Sequence, residues 1–185
     1  VGVDTSPIKA KPGAPTGSVL CLGDKQGKRA LYVMPGANNL LSSDDVDRAY
    51  LNQAQLLHFS SFTQPKQLEL QIALAEELSP SVKLSFAPGA LYCSQGLGRL
   101  APLLRRTYIL FLNRDELKQL TGLSLVRGVE RCHEQGCNIV VVTLGKGVRR
   151  KGEIVSCYIS DGKHRYWVES EKEKMSLIAD TVGAG

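Results

Sequence analysis

Hydrophobic and polar positions change period along the chain, and the changes divide it into elements. Residues 17–23 (GSVLCLG) and 30–34 (ALYVM) are two short apolar runs. The polar stretch 24–29 (DKQGKR), which contains a Gly, separates them. Two β-prone runs joined by such a turn predict a β-hairpin. Pro7, Pro12 and Pro15 interrupt what precedes it, and no helical period occurs there. Residues 1–34 therefore read as a small β segment, distinct from the rest.

From residue 35 the pattern alternates. PGAN at 35–38 punctuates the change. Ser42 or Ser43 can cap a helix running to about Asn52, with Asp44 and Asp45 favouring its positive end. Residues 54–60 predict a strand, and Pro65 opens a helix over 66–78. A strand at 82–87, a helix at 97–105 and a strand at 108–112 follow. Asn113 can cap a helix whose apolar face carries Leu117 and Leu120 and which Gly122 ends. One more helix, 125–135, stops at Gly136. Residues 138–143 (NIVVVT) form a continuous β-branched run, the mark of a strand buried on both faces. The chain is then expected to turn at 144–147 (LGKG) and to give antiparallel strands from Val148 onward, with 154–159 and 164–168 among them. Asp161-Gly162 is a two-residue hairpin signal between the last two.

Strands alternating with helices over roughly 43–143 imply an α/β fold with a mostly parallel sheet. Ligands of such sheets bind beyond the carboxyl ends of the strands. That rule points at Ser60 and Ser61, at Pro88 and Gly89, at 113–116 and at 143–147. The charge run 169–174 (ESEKEK) reads as a solvated loop.

Composition narrows the picture. With 185 residues, 43% hydrophobic and 22% charged, the chain is expected to be a soluble globular domain with a real core, with or without a small appendage. No apolar run reaches the length of a membrane span, and residues 1–15 lack the pattern of a signal peptide. The chain has no initiator Met and ends abruptly, so a piece of a longer protein is expected. The net charge of +5 is modest and scattered, with few aromatics near its small clusters, Arg105-Arg106 and Arg149-Arg150-Lys151. A nucleic-acid surface needs a denser stripe, so no nucleic acid and no membrane is expected as partner. Small anionic substrates suit this charge better. The cysteines number five, an odd count, and none are spaced CxxC, which fits reduced thiols and a cytoplasmic location. Cys132, His133 and Cys137 have a metal-like look, but they fall in a helical pattern without a second ligand pair. Buried core cysteines are expected instead.

Three stretches carry candidate chemistry. Asn113 and Glu116 share one side of a first helical turn after a strand. An amide and a carboxylate there can hold a hydrated cation and a phosphate oxygen, since Mg²⁺ usually takes only one or two protein carboxylates. The same pair can equally be a capping box, and the two roles are compatible. Thr143 and Gly145 follow the apolar strand, where a small hydroxyl and a Gly either line a nucleotide or simply form a strand exit. Residues 180–185 (DTVGAG) are a Gly-rich turn that exposes backbone N–H groups to an anion, or else a linker.

In this order the elements resemble the ribokinase-like (PfkB) family of carbohydrate and nucleoside kinases. The matching residues are Pro15 to Gly17, PGAN at 35–38, NRDE at 113–116 with LTG at 120–122, Thr143-Leu144-Gly145, and DTVGAG at 180–185, the last being the most specific. The resemblance spans nearly the whole chain, as the middle part of a family member. It implies a doubly wound α/β core with a β-sheet lid over a sugar site, the lid being 1–34 and the partial core 35–185. It implies ATP-dependent transfer of the γ-phosphate to a hydroxyl of a small carbohydrate. Asn113 and Glu116 would organise Mg²⁺ and the transferred phosphate, and Thr143 and Gly145 would line the ATP site. Gly183, Ala184 and Gly185 would form the anion hole. Asp180 and the backbone near Val182 would help bind a monovalent cation, such as K⁺, in members that use one. Lid strands often form dimer contacts in the family, so a homodimer is a further expectation.

Three departures bear on this reading. The family's catalytic base is the Asp directly after GAG, and the chain ends at Gly185. The family's N-terminal sugar-site stretch containing Gly-Gly is absent. Ribokinases often carry Glu near the end of the strand matched by 56–60, and the substrate position here reads as Ser60, which argues against ribose. The chain as given is expected to be nearly inactive. Alternatives are an adenosine-type nucleoside kinase or a non-catalytic binding module of the same fold. A dinucleotide oxidoreductase is disfavoured, because no GxGxxG follows the first strand of the α/β region.

Overall fold

The computed structural model describes residues 2–23, 29–150 and 152–169. Strands β1 (Ser18–Gly23) and β2 (Arg29–Met34) form the expected hairpin, an antiparallel ribbon running in register from Ser18 opposite Met34 to Gly23 opposite Arg29. Alternation in a ribbon this small buries nothing by itself. Val19, Leu20, Leu22, Leu31, Tyr32, Val33 and Met34 are each more than half exposed.

The second sheet is the expected mostly parallel α/β sheet. Its six strands lie in sequence order: β3 (Leu56–Ser60), β4 (Lys83–Ala87), β5 (Thr107–Asn113), β6 (Ile139–Arg150), β7 (Glu153–Ser160) and β8 (Arg165–Glu169). β3 to β6 are parallel, and β7 and β8 add antiparallel. Between them run α1 (Arg48–Leu51), ahead of β3, then α2 (Pro65–Glu77), α3 (Gly89–Cys93), α4 (Gly96–Arg106), α5 (Arg114–Thr121) and α6 (Leu125–Glu134).

The parallel strands advance in one direction, so right-handed crossovers carry α2 to α6 to a single face. Burial follows suit. Phe59, Leu84, Phe86, Leu110, Leu112, Val140 and Val142 pack with Leu68, Leu74, Leu100, Leu103, Leu104, Leu117 and Val129 in one core. Burying each such side chain is worth about 1.5–3 kcal/mol. The residues between them on the strands face the other way. There Leu56 is 51% and Phe111 39% exposed, and Val141 is half-buried. The VVV run of β6 was expected to be buried on both faces. Among the described residues only its helix-side positions are fully buried, because every helix of the parallel region lies on that side.

The structure differs from expectation in four local respects. The helix expected over 42–52 is a 3-10 turn (Ser43–Asp45) followed by α1, with Val46 extended between them. Each piece brings its own cap: Ser42 and Asp45 form a box, and the Asp47 carboxylate accepts from the Tyr50 N–H. The turn expected at 144–147 is a bulge inside β6. Register passes from Thr143 opposite Cys157 to Val148 opposite Val155, so residues 144–147 stand against Ser156 alone. The expected two-residue hairpin at Asp161-Gly162 is wider. Ser160 pairs with Arg165, and Asp161 accepts from the N–H groups of Lys163 and His164. Finally, α3 lies where no helix was expected, and α4 extends one residue beyond the expected 97–105 at each end.

Candidate active site

The carboxyl ends of β3, β5 and β6 carry Ser60, Asn113 and Thr143. Asn113 pairs directly with Thr143 across β5 and β6, so the two stand side by side at the sheet end. Strand alternation puts them on the face opposite the helical layer, the side of Phe111 and Val141. Ser60 ends β3 opposite Ala87 of β4, on the same side. All three are exposed.

Asn113 opens α5 by capping it. Its Oδ1 accepts from the Glu116 N–H at 2.8 Å, and Glu116 Oε2 accepts from the Asn113 N–H at 2.8 Å. Asp115 and Glu116 add negative charge at the positive end of the helix. Gly122 closes it in the left-handed region, at φ 72°, which a Gly adopts without steric cost. The box engages one oxygen of each side chain. Among the described residues, no hydrogen bond or ion pair takes Glu116 Oε1 or Asn113 Nδ2, so both remain for a ligand. The Glu116 charge reaches inward as well. Cys93 is pushed up to about 12, chiefly by burial and then by that carboxylate. Gly145 sits in the β6 bulge at φ 58°, exposed, with no atom within 4 Å of where a Cβ would be.

The structure thus brings Asn113, Glu116, Thr143 and Gly145 to one end of β5 and β6 and places Ser60 two strands away, at the end of β3. Asp180, Val182, Gly183, Ala184 and Gly185 lie outside the described residues, as does most of the 169–174 charge run. Among the described residues, two of the cavities lie elsewhere. One of about 280 Å³ opens between α2 and the α3–α4 corner, lined by Phe62, Pro65, Leu68, Tyr92 and Arg99. The other, about 440 Å³, sits at the α5–α6 corner beside Arg114, Lys118 and Ser124. Ser60, Asn113, Glu116 and Thr143 line neither. Cys132 and Cys137 are buried in the core as expected, and burial pushes both thiols upward, Cys132 to about 12. Among the described residues no three His, Cys, Asp or Glu side chains cluster to hold a metal ion. No helix of those residues is long and apolar enough to cross a membrane.

Sequence reasoning passed over two polar residues close to this end, Gln67 and Gln71 of α2, both buried. The available signal was their spacing. Positions 67, 68, 71, 74 and 75 form one helical face, and two of the five are amides.

The mostly parallel sheet and the small N-terminal ribbon agree with what the chain is similar to. The family model for pfkB family carbohydrate kinases matches residues 1–185. An uncharacterized sugar kinase of Archaeoglobus fulgidus is 31% identical over 187 residues, covering 100% of this chain and 69% of that protein. Among solved structures, a probable sugar kinase from Rhizobium etli superposes with a TM-score of 0.76 at 22% identity, over 96% of this chain and 53% of that one. Arabidopsis thaliana ribokinase complexed with ribose and ATP gives 0.69 at 22%, over 94% and 54%. Adenosine kinase from Sinorhizobium meliloti gives 0.73 at 18%, over 89% and 50%. The chain belongs to the pfkB carbohydrate kinase family. It spans about half the length of these solved relatives.

Proposed function

We propose that the protein containing this chain is an ATP-dependent kinase that transfers the γ-phosphate to a hydroxyl of a small carbohydrate. The observation that carries the reading is the Asn113–Glu116 corner beside Thr143, at the carboxyl end of a pfkB-family sheet. Phosphoryl transfer asks a protein mainly for positioning and charge stabilisation, and polar groups fixed by their own backbone supply both. Glu116 Oε1 offers an oxygen donor of the kind that Mg²⁺ takes, Asn113 Nδ2 can donate to a phosphate oxygen, and the capping box holds both side chains in one orientation. Mg²⁺ when bound there neutralises charge on the phosphates. Thr143 and Gly145 line the nucleotide phosphates, Gly145 because its open surround admits a close approach. By the family pattern, Gly183, Ala184 and Gly185 would supply the N–H groups of an anion hole, and Asp180 and the Val182 backbone would help bind a monovalent cation such as K⁺ in members that use one. In the family pattern the general base is the Asp that follows this glycine turn.

Residues 1–34 act as the lid and 35–185 as part of the kinase core. The exposed apolar ribbon β1–β2 is the natural contact between two lids, which makes the protein a homodimer. Reduced, buried thiols fit a cytoplasmic enzyme.

An adenosine-type nucleoside kinase is the second reading, favoured by Ser60 where ribokinases often have Glu and by the similarity to an adenosine kinase. Phosphorylation of a panel of pentoses, hexoses and nucleosides by the complete protein, with ATP and Mg²⁺, decides between them. A carbohydrate is expected to give the highest kcat/KM. A nucleoside preference would reverse the assignment, and transfer to no member of either class would leave a binding module.

A further inference from the structure

Gln67 (1% exposed) and Gln71 (4%) lie one helical turn apart on the buried face of α2, among Leu68, Leu74 and Ala75. Packing alone does not account for them, because each leaves its Oε1 buried without a partner. An unmet buried acceptor costs free energy that a Leu or Met there would avoid. What the amides accomplish is donation. Gln67 Nε2 donates to the Asn38 carbonyl, and Gln71 Nε2 donates to the Ser60 carbonyl at 2.9 Å. Only the amide nitrogen can meet a carbonyl, which fixes the orientation of both side chains.

The two carbonyls belong to the two places that must be set against each other. Asn38 lies in the turn by which the β1–β2 ribbon returns to the core, and Ser60 ends β3. The turn is already tied to the segment that enters the ribbon. The Ala37 N–H donates to the Pro15 carbonyl at 2.8 Å. Gly36, at φ 51°, lets that carbonyl approach where any Cβ would collide with it. A second tie, Thr63 Oγ1 to Asn39 Oδ1 at 2.7 Å, joins the turn to the β3–α2 loop. Residues 15–17 and 35–38 therefore form one knot under the ribbon, and Gln67 anchors the knot to α2.

We propose that Gln67 and Gln71 are positioning residues, through which α2 holds the base of the lid ribbon and the end of β3 in fixed relation and so shapes the mouth that receives the sugar. This rests on the sugar-kinase reading. Gln67→Met and Gln71→Met keep the length and packing of the side chain and remove only the amide. In the complete protein, either is expected to raise the KM for sugar about tenfold while leaving the KM for ATP and kcat within about twofold. The thermal midpoint is expected to change little, since the unmet amide oxygen goes while the carbonyl of Asn38 or Ser60 loses its donor. In Gln67→Met the Ala37 N–H is expected to exchange with deuterium about tenfold faster. Unchanged sugar KM in both variants overturns the proposal, as does a lowered midpoint with both KM values intact, which marks a purely structural role. Failure of the sugar-kinase reading shows separately, as no sugar phosphorylation by the unaltered protein. The exchange rate of Ala37 in Gln67→Met then decides alone, and an unchanged rate overturns the lid-base role.

Discussion

Asn113 and Glu116 each have a structural duty and a proposed chemical one, and substitution can separate the two. Asn113→Ala removes the cap and is expected to cost about 1 kcal/mol of unfolding free energy, read by urea titration. The cysteines make a second residue-scale case. Cys93, Cys132 and Cys137 are buried, and burial raises the pKa of each thiol. They are expected to resist an aromatic disulfide reagent at neutral pH until the protein unfolds, because the thiolate is the reacting species. Rapid labelling of any of the three in the native protein would contradict their placement. Asp45 is held at about 2, first by its hydrogen bond from Lys11 and then by the N–H and hydroxyl of Ser42. A depressed carboxylate stabilises the fold above its ordinary value, 3.8, and the contribution fades as pH falls from there towards about 2. Denaturation midpoints across that range are expected to fall less steeply for Asp45→Asn than for the unaltered chain.

At the scale of elements, local signals were legible and tertiary ones were not. α5 could be read to its exact ends, because its cap, its box and its terminal Gly122 all lie within the helix and its flanks. The alternation of strands and helices over 43–143 gave the sheet for the same reason. The helix over 42–52 was misread because Asp47 starts a second helix inside the span of the first cap. The 144–147 bulge depends on how β7 pairs with β6, and no pattern within β6 announces that. Of the proposed site, the positions of Asn113 and Thr143 at strand ends and of Glu116 in the helical turn after Asn113 were legible. The buried glutamines were not, since only the packing of α2 on β3 and the 35–38 turn gives them a role. Another contact of that kind is Arg106. Its guanidinium donates to the carbonyls of Ala75, Leu78 and Ser79 at the end of α2. Charge there also complements the helix dipole. Arg106→Met, which keeps the apolar stem, is expected to cost about 2 kcal/mol in a urea titration.

For the whole molecule, the layout explains why the proposed site residues gather at one end. Helices cover one face of the sheet, and Ser60, Asn113 and Thr143 emerge at the carboxyl ends on the other. The ribbon of β1 and β2 joins the core through the knot at 15–17 and 35–38. Its exposed apolar side chains make the proposed lid-to-lid dimer testable. Replacing Leu31 and Val33 with Lys is expected to turn a dimer into a monomer in sedimentation experiments on the complete protein, whereas an unaltered mass would move the interface elsewhere. The central claim is that the Asn113–Glu116 corner serves phosphoryl transfer and not α5 alone. Glu116→Gln tests it most directly, because Gln completes a capping box as well as Glu does but carries no charge. Stability and sugar-dependent ATP turnover are to be measured on the same complete protein. The account predicts unfolding free energy within about 0.5 kcal/mol of the original and turnover lower by about a hundredfold. Undiminished turnover would contradict it and leave Glu116 a capping residue only.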